Sequence, residues 1–590
     1  MCGICGQINF NGQPADVTAV VKMTEAMTPR GPDSLGLSVH ANVALGHRRL
    51  KIIDLSERAR QPMEDSALGY TIVYNGAIYN YNELRKRLEA KGYRFFSYGD
   101  TEVILKAYHA WGADCVLHFN GMFAFAIVHR DSGEVFLARD RLGIKPLYHT
   151  RIGNAFYFAS ALPALLTLSG MSAEIDPVAL HHYMTFHSVV PAPHTILSDI
   201  KKMRPGTTMT LSPDGKVDEK TYWELDFTPS DEEIRYTLQD WTELVLVYLR
   251  QAVKRRLTAD VPVGVLLSGG IDSSLIVGLL AELGKQDMET FSIGFKDAGG
   301  ESGNEFAYSD LIANHYGTRH HKIEARDEQV LPALDHCLRA MNEPMVSHDC
   351  IGFYLLSQAV SQHVKVVQSG QGADEIFGGY HWYPPLMNDR DSVYDYVGHF
   401  FDRPHTEYAA AVHPRFVGDD HSLTFVRRHF DRPGAESTVD RALRLDTTVM
   451  LVDDPVKRVD NMTMAWGLEA RVPFLDHELV AFAARVPAAL KVGQGGKHVL
   501  KEAARSVIPA EVIDRPKGYF PVPALKYLDG DYLTFATDTL RSTRSREREL
   551  FNPDYVDLLI KQPEEHITPL RGSKLWQVVA LERWLSIHGI

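Results

Sequence analysis

The chain has 590 residues, and 62 Lys and Arg against 75 Asp and Glu leave a net charge of −13. At roughly 100–200 residues per domain that length excludes a single core, and 45% hydrophobic with 23% charged residues excludes a disordered or fibrous chain. The acidic balance speaks against nucleic acid as a partner. No long apolar run predicts a membrane span and no basic-then-apolar leader opens the sequence. The five scattered cysteines suit a reducing, cytoplasmic compartment.

In chain order, residues 1–10 and 70–74 read as strands, 81–91 and 101–111 as amphipathic helices, and 122–129 and 135–138 as paired buried strands. Strands, helices and strands again predict a layered α+β domain with two stacked sheets flanked by helices. Pro, Gly and Asp cluster between Pro205 and Ser230, which predicts a linker and sets domains at 2–210 and 231–590. In the second domain, 231–257 reads as helix, 261–267 as a short apolar strand, Ser268-Gly269-Gly270 as a turn, 273–283 as an apolar helix and 291–295 as the next strand. That alternation predicts an α/β domain with a parallel sheet.

Cys2 follows the initiator methionine. With Met1 removed, its thiol and a free α-amine share one residue. An α-amine titrates near ~7.7–8.0, so it can take the thiol proton at neutral pH without a histidine. The thiolate could then attack a carboxamide, forming a thioester and releasing ammonia. Cys2 and Cys5 also have C-x-x-C spacing, the pattern of a redox dithiol or half a zinc site, but neither a second such pair nor a thioredoxin-like context accompanies it.

The opening MCGICG, Arg30-Gly31-Pro32-Asp33, His47-Arg48-Arg49-Leu50, Asn75-Gly76-Ala77-Ile78-Tyr79-Asn80, Gly99-Asp100-Thr101-Glu102 and the stretch from Arg139 to Pro146 together resemble the glutaminase domain of class II amidotransferases. The resemblance implies an Ntn-hydrolase-type sandwich with Cys2 as nucleophile. It implies an oxyanion hole from the Asn75 side chain and the Gly76 N–H, Arg49 as the clamp on the glutamine α-carboxylate, and Asp100 on its α-ammonium. Ala77 departs from the pattern, because asparagine synthetases usually carry Glu there. The expected consequence is weaker glutamine binding or a substitute acid.

Ser268-Gly269-Gly270-Ile271-Asp272-Ser273-Ser274 follows a predicted strand and opens a predicted helix. Glycines let amide N–H groups approach phosphate oxygens, the helix N-terminus adds positive potential, and Asp272 is a hard ligand for Mg2+. It is not a Walker loop, which needs G-x-x-x-x-G-K-[ST]. It resembles the SGGxDS loop of enzymes that adenylate a substrate with ATP and release pyrophosphate, a fold of the adenine nucleotide alpha hydrolase type. Ser369-Gly370-Gln371-Gly372-Ala373-Asp374-Glu375, behind an apolar strand at 364–367, resembles the SGxGxDE segment of asparagine synthetases. That resemblance implies Ser369 and Gly370 near the nucleotide, Asp374 sharing the metal with Asp272, and Leu267 and Ile293 against adenine. It implies Lys497 as the lysine that neutralises pyrophosphate charge, and Glu343 as the acceptor of a proton when ammonia attacks. The similarity continues through 458–461, 469–476 and 515–523 to Trp584, and implies an interior ammonia channel.

Ala77, Gln371, the aromatic segment 379–385 and His181-His182-Tyr183-Met184-Thr185-Phe186-His187 look like the subgroup that amidates N-acetylglutaminylglutamine, an osmoprotective dipeptide. Aspartate is the alternative acceptor. A tRNA-modifying adenylase would need a basic face, which the charge of −13 opposes. A β-lactam synthetase would lack Cys2. The expected partners are small molecules (glutamine, ATP and the carboxylate acceptor), without nucleic acid or membrane, and the assembly considered is a homodimer.

Overall fold

The computed structural model describes residues 2–295, 303–388, 392–515, 523–526 and 528–590. Its N-terminal part holds strands β1 (Gly3–Asn9), β2 (Ser34–His40), β3 (Val43–Arg49), β4 (Met63–Asp65), β5 (Tyr70–Ile78), β6 (Gly121–His129), β7 (Val135–Arg139), β8 (Tyr148–Ile152), β9 (Ala155–Ala159), β10 (Lys201–Lys202), β11 (Thr207–Leu211) and β12 (Val217–Thr221). They form two six-stranded sheets, ordered β10-β8-β9-β1-β3-β2 and β12-β11-β7-β6-β5-β4, and their strand pairs are antiparallel. Alternation along the strands sends Ile4, Ile8, Leu45, Val73, Ala124, Ala126, Leu137 and Phe158 into one core between the sheets. The helices Tyr81–Glu89 and Asp100–Trp111 cover the other face of the second sheet through Leu84, Leu88, Val103 and Ile104. This is the α+β sandwich read from the sequence.

The second sheet runs past residue 210, into the stretch read as linker. Strand β11 pairs with β7, Thr208 opposite Ala138, and with β12, Leu211 opposite Val217. The Pro213-Asp214-Gly215 punctuation is a hairpin turn, closed by Ser212 N–H to the Lys216 carbonyl at 3.0 Å with Gly215 at φ +83°.

The C-terminal part is built on β13 (Val263–Leu266), β14 (Glu289–Gly294), β15 (Arg319–Glu324), β16 (Val366–Gln368) and β17 (Glu469–Arg471), all parallel, in the order β15-β14-β13-β16-β17. The order leaves β13 in both directions, so a crevice opens at the carboxyl ends of β13 and β16, the position where open α/β sheets bind ligands. The helix Leu238–Arg255 leads in. Thr237 and Asp240 cap it reciprocally, and Trp241, Val245, Leu249 and Val253 form its buried stripe. Each such side chain contributes roughly 1.5–3 kcal/mol on burial, so packing rather than helix propensity fixes this element.

The N-terminal sandwich covers the β17 edge of the parallel sheet, a position that would otherwise expose unpaired backbone groups. Leu50 and Ile52 pack on Val366, the Asp260 N–H bonds the Ile52 carbonyl at 2.9 Å, and Lys365 pairs with Asp33 at 2.8 Å. Among the described residues no helix is long and apolar enough to cross a membrane.

Candidate active sites

The first site forms where β1, β3 and β5 end beside β17. Cys2, buried at 7% exposure, donates its backbone N–H to Asn75 Oδ1 at 2.9 Å. That bond leaves Asn75 Nδ2 buried and unpartnered, a donor whose desolvation is uncompensated until an acceptor arrives. Gly76 is required by close approach: a Cβ there would lie 2.1 Å from the Met122 carbonyl oxygen. Cys2, Arg49, Tyr74, Gly76 and Asp100 line one small cavity of about 30 Å3. Arg49 is held by the carbonyls of Ser56 and Asp54 at 3.0 and 2.5 Å. Asp100 Oδ2 accepts from the Tyr74 hydroxyl at 2.8 Å and from Ile78 N–H at 3.0 Å. Burial pushes the Cys2 thiol above its ordinary value, so a base must remove its proton. Cys5 lies apart with Sγ 3.2 Å from Thr24 Oγ1, and burial raises its thiol to about 12. That is an inert core cysteine, which excludes the dithiol reading.

Two further residues of this cavity come from the other domain. Glu469 and Arg471, on the edge strand β17, complete its lining. Arg471 Nε pairs with Glu469 Oε1 at 2.6 Å and its Nη1 bonds the carbonyls of Arg256 and Thr258. Burial would raise the Glu469 carboxyl, but surrounding positive charge, Arg471 and Lys145 included, holds it down to about 2. A permanent carboxylate therefore stands in the pocket, while Ala77 packs into the core shared with the second domain. Sequence reasoning quoted Glu469 only as part of a motif, because strand β17 is 394 residues downstream of Asn75 and the signal lies in the tertiary edge-covering, not in any local spacing.

The second site lies at the crevice. The loops 268–274 and 369–375 press together: a Cβ on Gly370 would meet the Asp272 Cβ and the Ser273 nitrogen at 3.0 Å. Gly269 takes φ +77°, and a Cβ there would sit 2.7 Å from Ser309 N. Gly270 caps the helix Ile271–Glu282, and Ser273 Oγ is within 3.2 Å of both Ser268 N and the Gly270 carbonyl. Leu267, Ser268, Asp272, Ser273, Ile293, Ser369, Gly370, Gln371 and Asp374 line a cavity of about 150 Å3, together with Asp349 and Phe353. Lys497, at φ +56°, brings Nζ within 2.7 Å of Asp272 and 3.0 Å of Asp374. Although burial opposes it, those two carboxylates raise the ammonium's pKa. Two carboxylates converging on one cationic atom is the donor set that a magnesium ion needs.

Glu343 is not at this cavity. It is 1% exposed, between Lys202 at 2.9 Å, the Tyr148 hydroxyl at 3.2 Å and Lys457 at 3.7 Å, with Asp453 on the same two lysines. The helix Lys457–Met464, buried along its length, starts in that cluster and connects the two sites. At one point Asp460 pairs with Arg30 at 2.9 Å and Lys145 at 3.3 Å, and Arg30 Nε bonds the Cys2 carbonyl at 3.3 Å. At another, Arg458 faces Asp349 of the crevice at 3.8 Å. Residues 516–522 of the expected 515–523 similarity lie outside the described residues.

Residues 1–223 match the glutamine amidotransferase domain family, and residues 245–586 match the asparagine synthase family. The chain belongs to the asparagine synthetase family. It is a carbon–nitrogen ligase of that type, and the family uses ATP. Over its whole length it is similar to the glutamine-hydrolyzing asparagine synthetase 1 of Bacillus subtilis (strain 168), 32% identical over 100% of this chain and 97% of that one. The glutamine-hydrolyzing asparagine synthetase 3 of the same organism is 30% identical over 97% and 94%. Amidase chry2 of Gibberella zeae is 27% identical over 89% of each. Among solved structures, the glutamine phosphoribosylpyrophosphate amidotransferase of B. subtilis overlays 54% of this chain and 65% of its own at 14% identity and a TM-score of 0.29.

Proposed function

We propose that this asparagine synthetase-type ligase hydrolyses glutamine on Cys2, activates a carboxylate as its acyl-adenylate at the crevice, and joins the two by an interior transfer of ammonia. The single observation that carries the reading is the pairing of the Cys2 cavity, with its unpartnered Asn75 Nδ2, to a separate SGGxDS crevice in one chain. In the first site the α-amine of Cys2 takes the thiol proton, Asn75 Nδ2 and Gly76 N–H receive the oxyanion, and Arg49 holds the glutamine α-carboxylate. In the second, Gly269, Gly270 and Ser273 cradle phosphate, Leu267 and Ile293 flank adenine, Ser369 and Gly370 close on the nucleotide, and Lys497 neutralises the departing pyrophosphate. Asp272 and Asp374 would hold Mg2+, which supplies charge neutralisation for the triphosphate when bound. Glu343, with Lys202 and Lys457 beside it, takes a proton as ammonia attacks.

The acid missing at Ala77 is supplied from the other domain: Glu469, with Asp100, holds the glutamine α-ammonium. Charge-assisted hydrogen bonds contribute about 1.5–3 kcal/mol. Glu469→Gln should therefore raise the glutamine KM roughly 10–100-fold while ammonia-driven synthesis keeps its rate. Steady-state glutaminase kinetics measure this, and an unchanged KM would remove Glu469 from the substrate site.

The acceptor we propose is N-acetylglutaminylglutamine. Gln371, a neutral amide on the crevice lining, suits an acylated dipeptide that brings no ammonium group. The names of the bacterial relatives favour aspartate as the second reading. Offered both acceptors with ATP and glutamine, the enzyme should form the dipeptide amide at least ten times faster, by about 1.4 kcal/mol of discrimination. Asparagine as the main product in a mass-spectrometric assay would reverse the assignment.

A further inference from the structure

The His181–His187 segment lines neither of the two cavities. His181 lies in the helix Pro177–Thr185, which Asp176 caps through its bonds to Val178 N and Ala179 N. The side chain is 1% exposed. Its Nε2 lies 3.0 Å from His405 Nδ1 and 3.8 Å from Asp420 Oδ1, and the three ligand atoms all fall within 4.8 Å of one another. Tetrahedral zinc with Zn–N bonds near 2.0–2.1 Å sets its ligand atoms about 3.3 Å apart, and the two separations here straddle that value. Among the described residues this is the one grouping of three His, Cys, Asp or Glu ligand atoms so close together.

The far side of the His181 ring fits the same chemistry. Its Nδ1 faces Ser422 Oγ at 3.1 Å and Thr185 Oγ1 at 3.3 Å. The Thr185 hydroxyl donates to the His181 carbonyl at 2.7 Å, so toward the ring it can only accept. Thr185 therefore offers Nδ1 an acceptor, and a proton on Nδ1 would leave the lone pair on Nε2, where His405 and Asp420 converge. A hydrogen bond on the second nitrogen is the usual support of a metal-bound imidazole. His405 and Asp420 are half-buried, which leaves an approach from solvent. His421, its ring centroid 5.6 Å from that of His181, or a water can take the fourth position.

We propose that His181, His405 and Asp420 form a binding site for a divalent transition metal, zinc by ligand type. His181 belongs to a helix inserted between β9 and β10 of the N-terminal part, while His405 opens the helix His405–Ala411 and Asp420 caps the helix His421–Phe430. The ion is a staple between these elements, remote from the chemistry. Asp420 Oδ1, 3.8 Å from His181 Nε2, also accepts the Leu423 N–H at 3.0 Å, which aims it at the two rings.

The test uses the full chain stripped with chelator and saturated with MgATP to mask the crevice carboxylates. Zinc should bind at one equivalent and raise the melting temperature by several degrees, and cobalt(II) should give the intense visible bands of a four-coordinate site. His405→Gln and Asp420→Asn should each weaken zinc binding at least tenfold and lose those bands. Asn keeps the helix cap, so the second variant separates ligation from folding, and both should retain wild-type glutaminase rates. No zinc uptake by the wild type, or uptake and cobalt bands that survive in both variants, would overturn the site.

Discussion

Cys2→Ala should abolish glutamine-dependent synthesis and leave ammonia-dependent synthesis within a few-fold of wild type. The thiol is the one group of the first cavity that can form a thioester, so without it no donor carbonyl is opened, however well Arg49 and Asp100 hold the substrate. The crevice has no contact with Cys2 itself. The nearest link is Arg30, which reaches the Cys2 carbonyl and Asp460, and both are backbone or remote groups that alanine preserves. Burial raises the thiol, which makes the proton acceptor decisive. A chain whose initiator methionine is retained should fail in the same assay as Cys2→Ala, because the amide nitrogen left at Cys2 cannot act as a base near neutral pH. Asn75→Ala tests the other half of the arrangement. Losing one oxyanion donor costs about 10²–10³ in rate, so glutaminase turnover should fall by that factor with little change in KM. Loss of ammonia-driven synthesis in Cys2→Ala would mean that Cys2 holds the domain interface rather than the chemistry.

The sequence made these pockets legible where function is local. The strand–turn–helix around Ser268 places phosphate-binding N–H groups and Asp272 within seven residues, and Asn75-Gly76 joins a side-chain donor to a backbone one. What escaped it was set by distance along the chain. The strands of the first sheet at 34–40, 43–49, 148–152 and 155–159 are short, and their identity comes from pairing partners rather than from pattern. The turn residues 213–215 are chemically the same whether they end a domain or close a hairpin, and only the β7 neighbour decides. Glu469 and Arg471 enter the first cavity because the sandwich packs against the parallel sheet, a contact that their motif does not announce. The motif marks Glu343 as a proton acceptor when ammonia attacks, and its neighbours Lys202, Tyr148 and Lys457 come from segments that no local spacing joins to it.

Lys497→Ala should abolish acyl-adenylate formation with either nitrogen source while glutaminase activity on Cys2 persists. The lysine's ammonium pairs with two crevice carboxylates, Asp272 at 2.7 Å and Asp374 at 3.0 Å. On the proposed reading, Asp272 and Asp374 would hold the magnesium ion that arrives with the nucleotide, and the Lys497 ammonium would turn to the negative charge developing on the departing pyrophosphate. A buried cation aimed at such charge contributes most in the transition state, so the loss should be at least ~10²–10³ in pyrophosphate exchange, with a smaller change in ATP affinity. Arginine should not rescue it. Lys497 Nζ stands within 3.0 Å of both Asp272 and Asp374, a geometry that calls for a compact point charge rather than a planar fork. The alanine variant leaves two carboxylates facing one another without a counter-ion, and removing one partner of a buried ion pair typically costs about 3–5 kcal/mol. Free enzyme should therefore melt lower than wild type, and magnesium should recover part of the difference by taking the vacated charge. Exchange that persisted at wild-type rate would place pyrophosphate neutralisation on some other cation, and the carboxylate pair would then be a structural salt bridge to Lys497 rather than a metal site.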